Sequence, residues 1–222
     1  FHSGNPFTAR DVVFTIKRFR KSADFKGLFE PFEDPVIIDD YTVDIKTKKP
    51  YPLMLNMITY VFPLDSKFYS GTDERGKPKD AVVKVGYSFA KNNVSGTGPF
   101  RLVEREHGVK VVFERFKDYW DPASPGNVET FILTPIKSGA TRLAALLSGD
   151  VDFITPVEPQ DFDRIRRNDN VKLFTYTGGR IITVQMNQKR HEALRNQKVR
   201  QAIVHAVNNV GIEKKIMKGT AT

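Results

Sequence analysis

The chain has 222 residues, 40% of them hydrophobic and 11% aromatic, which is enough for a packed core and argues against wholesale disorder. It contains no cysteine, so disulfides, thiolate metal sites and cysteine nucleophiles are excluded. The net charge of +9 raises nucleic acid or an anionic surface as partners, but the cations are spread along the whole chain and a solvated basic surface is the better reading.

No stretch approaches the ~20 apolar residues that a membrane helix needs. The opening Phe1-His2-Ser3-Gly4 reads as the end of a strand entering a turn, and the chain stops after Gly219 without a closing element. Both ends are therefore expected to lie inside a longer protein. Thr8-Ala9-Arg10-Asp11 is a capping-box-like helix start, with the Thr8 hydroxyl expected to accept from first-turn amides. Val12, Ile16 and Phe19 share one face behind it, which predicts a helix over 9–21. Residues 36–46 alternate around Asp39-Asp40 and predict a hairpin. Pro52 starts a short helix over 53–59, residues 61–64 read as a crossing strand, and Asp65 or Ser66 can cap another short helix. Residues 71–80 form a polar surface insert. They miss the nucleotide-binding loop pattern, because Pro78 stands where a magnesium-binding hydroxyl is needed and Asp73 and Glu74 would repel phosphate.

Ser95-Gly96-Thr97-Gly98-Pro99-Phe100 is a corner where the glycines are expected to supply backbone angles that other residues avoid. Residues 100–104 and 109–114 flank His107-Gly108 as a second hairpin. Trp120, the sole tryptophan, is expected to be a packing anchor, and 131–133 a short buried strand. Ala140, Leu143, Ala144 and Leu147 predict a helix closed by Gly149. Strands are expected at 151–154, 171–176 and 181–186, with a helix carrying Phe162 and Ile165 among them, so the pattern is that of an α/β unit. Val199, Ala202, Ile203, Ala206, Val207 and Val210 predict a long helix broken by Gly211, with a second short helix after it.

Catalytic signals are thin. There is no nucleophile elbow, and the four histidines stand far apart in sequence. His191-Glu192-Ala193-Leu194-Arg195 misses the zinc-protease pattern, because Arg195 replaces the second ligand. His205 reads as a helix-surface or packing residue, and the sequon Asn93-Val94-Ser95 as a chance match. A binding role gains by default.

Several pieces resemble one family in order. Phe1-His2-Ser3-Gly4-Asn5-Pro6-Phe7-Thr8-Ala9-Arg10-Asp11-Val12-Val13-Phe14 is similar to the opening signature of peptide/nickel-type (family 5) extracellular solute-binding proteins of ABC importers. Gly96 to Phe100, Asp118-Tyr119-Trp120, Arg142-Leu143 on to Gly149-Asp150-Val151-Asp152, and Lys198-Val199-Arg200-Gln201-Ala202 resemble its later landmarks. Ser3 departs from the usual acidic residue, Ser95 from a common proline, and Asn208-Asn209 from an acidic-basic pair.

The resemblance implies an α/β, periplasmic binding protein-like fold (type II, two-lobed with an accessory domain), only partly present in this chain. Residues 1–64 would belong to the accessory domain, 65–184 to the first lobe, and 185–222 to the crossing strand and the start of the second lobe. It implies capture of short peptides by hinge closure, delivery to an ABC permease, and no enzyme activity, cofactor or metal. The full-length protein would be a monomer, periplasmic or lipid-anchored at the outer face of the cell membrane. Ligand contacts are expected from Gln185 and Asn187 on the crossing strand, Thr155 at a cleft rim, and Tyr176 and Arg180 beside the Gly178-Gly179 bend, with Arg180 able to pair a carboxylate. Nickel chelate, sugar or opine cargo remains the alternative within the family. A basic nucleic-acid-binding module is the alternative from another class, and an enzyme a third.

Overall fold

A computed structural model describes every residue except Lys84, Ser124, Pro125, Thr177, Arg180 and Thr222. The chain divides into two compact units, Phe1–Pro135 and Ile136–Thr222.

The first unit begins with helix α1 (Ala9–Lys21) and a single helical turn, α2 (Lys26–Phe29). Hairpin strands β1 (Val36–Asp39) and β2 (Thr42–Asp44) follow, then α3 (Met54–Ile58). Ile16, Phe29 and Phe32 are fully buried, and Val12, Phe19, Phe25, Ile45, Met54, Ile58 and Val61 pack around them. The apolar face expected of α1 is thus the one that is covered. The expected capping box is present. The Thr8 hydroxyl donates to Asp11 Oδ2 at 3.2 Å, and the Thr8 amide donates to the same oxygen at 2.7 Å. The capping box is reciprocal, with the Thr8 side chain also set against the Asp11 amide, and the other oxygen of Asp11 takes the Ser66 amide at 2.8 Å. Residues 61–64 are not a strand. Their backbone is held from the side instead: the Leu64 amide donates to the buried Thr15 hydroxyl at 2.8 Å.

The polar insert is an ordered turn. Asp73 Oδ1 accepts the amides of Arg75 and Lys77, each at 2.9 Å, and the Tyr87 hydroxyl donates to Oδ2 at 2.5 Å. A three-stranded antiparallel sheet then forms from β3 (Phe100–Glu106), β4 (Lys110–Arg115) and β5 (Thr130–Leu133). Phe100 opposes Arg115, Glu106 opposes Lys110, and the register slips between Leu102 and Glu104. The β5 edge is exposed rather than buried, with Ile132 58% accessible.

The glycine corner ahead of β3 is held in a way its composition does not reveal. Neither Gly96 nor Gly98 has a positive φ. The corner is fastened by side chains. Asp65, fully buried, accepts from the hydroxyls of Ser3 and Ser95 (the latter at 2.9 Å), from Asn5 Nδ2 at 3.0 and 3.1 Å, and from the Phe68 amide at 3.0 Å. His2 clamps the glycines: its amide donates to the Gly96 carbonyl at 2.8 Å, its Nδ1 accepts the Gly96 amide at 3.3 Å, and its Nε2 faces the Gly98 carbonyl at 2.8 Å. These contacts fit the tautomer protonated on Nε2. Ser95 is 2% accessible and bonded to Asp65. Trp120 is also not a buried anchor. It is 72% exposed, and its indole N–H donates to the Thr97 carbonyl at 3.0 Å.

The second unit holds α4 (Gly139–Ser148), α5 (Phe162–Arg166), α6 (Gln197–Ala206) and the one-turn α7 (Asn209–Gly211), which runs into a single π turn, Ile212–Ile216. Leu143, Phe162 and Ile165 are its buried side chains. Gly149 closes α4 with φ +84, and the amides of Asp150 and Val151 both turn back to the Ala145 carbonyl. That capture leaves 151–154 as a bend, not a strand. Residues 171–176 and 181–186 are not strands either, because among the described residues no neighbouring segment pairs with them. The last helix ends at Ala206 rather than Gly211: Asn208 interrupts it, its Oδ1 accepting the Gly211 amide at 2.8 Å to start a new turn.

Two predictions follow from the Asp65 node. Ser95→Ala leaves the buried carboxylate one donor short and should cost about 1–3 kcal/mol, while Gly98→Ala, with open space where its Cβ would go, should stay within about 0.5 kcal/mol. Urea unfolding followed by Trp120 fluorescence separates the two, and equal costs would refute the assignment. Burial raises the Asp65 pKa, but the bonds from Ser3, Phe68, Ser95 and Asn5 outweigh it and hold the carboxyl below its ordinary value. A lowered folded pKa means this stabilisation is complete above the unfolded carboxyl value of about 4 and is lost as pH falls through the folded value. Unfolding midpoints measured from neutral pH downward should therefore decline below about pH 4, and less steeply in Asp65→Asn.

Candidate functional site

The residues that the sequence singles out for ligand contact all fall in the second unit, between positions 155 and 187. The start of that stretch is fixed from behind by Arg142 of α4, whose side chain is 12% accessible. The guanidinium donates to the carbonyls of Ile136 (2.9 Å), Lys137 (3.1 Å) and Pro156 (3.1 Å) and lies 3.5 Å from Glu158. It ties the entry of α4 to the loop beyond Thr155, which precedes a cis proline. Thr155 is exposed, at the end of a bend rather than of a strand.

Tyr176 is 91% exposed, with no hydrogen-bond partner among the described residues. Arg180 lies outside the described residues. Gln185 is exposed on a stretch that is not a strand. Asn187 is committed to a turn: its Oδ1 accepts the amides of Lys189 and Arg190, each at 3.0 Å, and its carbonyl accepts the His191 amide at 3.2 Å. That leaves its Nδ2 as the group able to donate outward. Gln185 and Asn187 are near neighbours in sequence, and the structure does not bring Thr155 or Tyr176 into contact with them.

The neighbours of Gln185 border an open concavity. Val184, Met186, Gln197, Arg200, Gln201, Val204 and His205 line an open groove of about 480 Å³ along α6. Arg200 is anchored at its rim by donation to the carbonyls of Leu194 (2.8 Å) and Arg195 (2.9 Å). The groove is mostly apolar with a few amide and cationic groups, a lining suited to an organic solute or a side chain rather than to a metal. Among the described residues no cluster of three or more His, Asp or Glu could hold a metal ion. Sequence reading missed what Arg142 and Arg200 bind, because each acts on carbonyls five to fourteen residues away that no short pattern marks.

All 222 residues match the family described as bacterial extracellular solute-binding proteins, family 5 Middle. The chain belongs to the family 5 extracellular solute-binding proteins. It is 26% identical, over all of its length and 41% of the relative's, to the glutathione-binding protein GsiB of Pectobacterium atrosepticum. Among solved structures it is similar to NikA of Staphylococcus aureus in complex with Ni(L-His)2, at TM-score 0.74 and 22% identity, covering 99% of this chain and 43% of that one. It is also similar to the oligopeptide-binding protein AppA of Bacillus subtilis in complex with a nonapeptide, at TM-score 0.70 and 23% identity, covering 98% and 42%. The fold is thus that of the periplasmic binding proteins, and this chain spans about two-fifths of the length of the relatives it matches. No helix among the described residues is long and apolar enough to cross a membrane.

Asn187→Ala removes the acceptor of two turn amides and should cost about 1 kcal/mol, measured as a shift in urea midpoint, whereas Gln185→Ala should cost nothing measurable.

Proposed function

We propose that this family 5 solute-binding protein captures short peptides outside the cytoplasmic membrane and hands them to an ABC permease, closing two lobes on the ligand by a hinge. The observation that carries this reading is the agreement of two kinds of relative over the whole chain. The sequence relative binds glutathione, itself a tripeptide, and a fold relative holds a nonapeptide. In this reading residues 65–184 belong to one lobe, 185–222 cross into the next, and 1–64 form an accessory part. Gln185, the Nδ2 of Asn187, Thr155, Tyr176 and Arg180 supply the contacts from this side of the cleft. The exposure of Gln185, Asn187, Thr155 and Tyr176 fits that role, because a peptide main chain is held by amides and hydroxyls that can turn outward to it. The protein works as a periplasmic or lipid-anchored monomer, carries no catalytic site, and needs no cofactor.

One observation favours a second cargo. The likeness to NikA with Ni(L-His)2 is as close in fold as that to the peptide binder.

The test is a thermal-shift screen of the full-length gene product against di- to pentapeptides, glutathione, nickel–histidine, sugars, opines and an oligonucleotide. A bound peptide at about a hundredfold excess over its Kd should stabilise by about 2.7 kcal/mol, with little dependence on salt. No shift from any peptide together with a clear shift from another class would sink the peptide assignment.

A further inference from the structure

We infer that the wall around Asn187 selects anionic solutes: given the peptide-capture role proposed above, peptides with more carboxylates than ammonium groups. The net charge of +9 is unevenly shared. Residues 1–135 have twenty Lys and Arg against eighteen Asp and Glu, a net +2. Residues 136–222 have fifteen against eight, a net +7 in the shorter unit. The cations are spread along the whole chain, so it is the scarcity of carboxylates that concentrates the charge. Residues 170–212 hold seven Lys and Arg, and Glu192 is their only carboxylate. The proposed contacts Tyr176, Arg180, Gln185 and Asn187 all fall inside that stretch.

A solvated basic face is balanced nearby, as in the first unit, where Lys48 lies 2.8 Å from Glu30 and Lys110 3.0 Å from Glu104. In the second unit, among the described residues, ion pairs take Arg142, Arg166 and Lys218, none of them within 170–212. Like charges kept together without partners raise the free energy of the folded state, so their retention points to a counter-charge that arrives from outside.

These cations also have fixed places. Asn187 Oδ1 accepts the amides of Lys189 and Arg190, each at 3.0 Å, which sets where both side chains leave the turn. Arg195 donates to the Gln188 carbonyl at 3.2 Å, and Arg200 to the carbonyls of Leu194 and Arg195 at 2.8 and 2.9 Å. Arg200 lines the groove beside Val184 and Met186. A cation steadied by neutral carbonyls keeps its whole charge and loses little freedom on meeting an anion. Its strongest partner is a carboxylate, through charge-assisted hydrogen bonds. A short basic cluster between 189 and 200 suits a small anion, whereas a nucleic-acid strand needs a longer basic track.

The test is calorimetric titration of the full-length gene product, in about 0.15 M NaCl, with the tripeptides Ala-Glu-Ala, Ala-Gln-Ala and Ala-Lys-Ala. Glu and Gln match in shape and differ in charge. Ala-Glu-Ala should bind at least about tenfold more tightly than Ala-Gln-Ala, and Ala-Lys-Ala more weakly than both. Equal affinities, or a preference for the Gln or Lys peptide, would overturn the inference and leave peptide capture standing, since the cations would then have partners inside the protein. Binding of none of the three sinks peptide capture itself, and the anion selectivity with it. A DNA oligonucleotide that binds with a steep loss of affinity on added salt would give the charge to nucleic acid, which also overturns the inference. The double variant Lys189→Gln, Arg190→Gln supplies a second readout. It should narrow the Glu-over-Gln ratio at least about threefold without lowering the unliganded thermal midpoint. An unchanged ratio, or a lowered midpoint with no change in ratio, would overturn the assignment to this turn.

Discussion

The arrangement of the first unit depends on one buried carboxylate. Asp65 sits where three separate pieces of chain meet: the N-terminal arm through Ser3 and Asn5, its own turn through the Phe68 amide, and the glycine corner through Ser95. A buried charge is costly unless every lone pair is used, and here two hydroxyls, a carboxamide and an amide use them. The node sets where the corner lies, and the corner delivers Phe100 into β3. It also positions Trp120, since Thr97 of the same corner accepts the indole N–H. A carboxylate at position 3 would face Asp65 as a second charge, whereas the Ser3 hydroxyl donates to it.

Local signals were the legible ones. The α1 helix, the α4 helix with its Gly149 cap and both hairpins of the first unit stand where residue spacing and turn chemistry put them. In each case the partner groups lie within a few residues, so the pattern and its satisfaction are in the same window of sequence. The Asp65 node was not legible, because its members come from positions 3, 5, 65, 68 and 95 and none has a distinctive neighbour. Composition even misdirected: two glycines in the corner suggested unusual backbone angles, while the angles are ordinary and Gly96 leaves room for the His2 ring, 3.6 Å from where a Cβ would sit.

The strands of the second unit failed for a different reason. A helix satisfies its own backbone, so α4 and α5 form with only Leu143, Phe162 and Ile165 buried. A strand exists only with a neighbour. Residues 171–176 and 181–186 have strand composition and no ladder, so the same reading that succeeds in the first unit finds nothing to pair with here. The family assignment was legible because an ordered set of short landmarks tolerates this gap: it needs each landmark, not the contacts between them.

The candidate site inherits the same limit. Thr155, Tyr176 and Gln185 are exposed, and exposure is shared by a ligand contact and by a strand without its sheet. Asn187 differs, because the turn amides of Lys189 and Arg190 fix its carboxamide and aim its Nδ2 one way. A group so oriented loses little entropy on meeting a ligand, whereas Tyr176, free in every direction, must be ordered first. Arg142 extends the argument to Thr155, since holding the Ile136, Lys137 and Pro156 carbonyls fixes the backbone on which that hydroxyl stands. Preorganisation therefore ranks Asn187 and Thr155 above Tyr176 and Gln185 among the proposed contacts, a ranking that follows from hydrogen bonds to the backbone and from no property of the side chains as read in sequence.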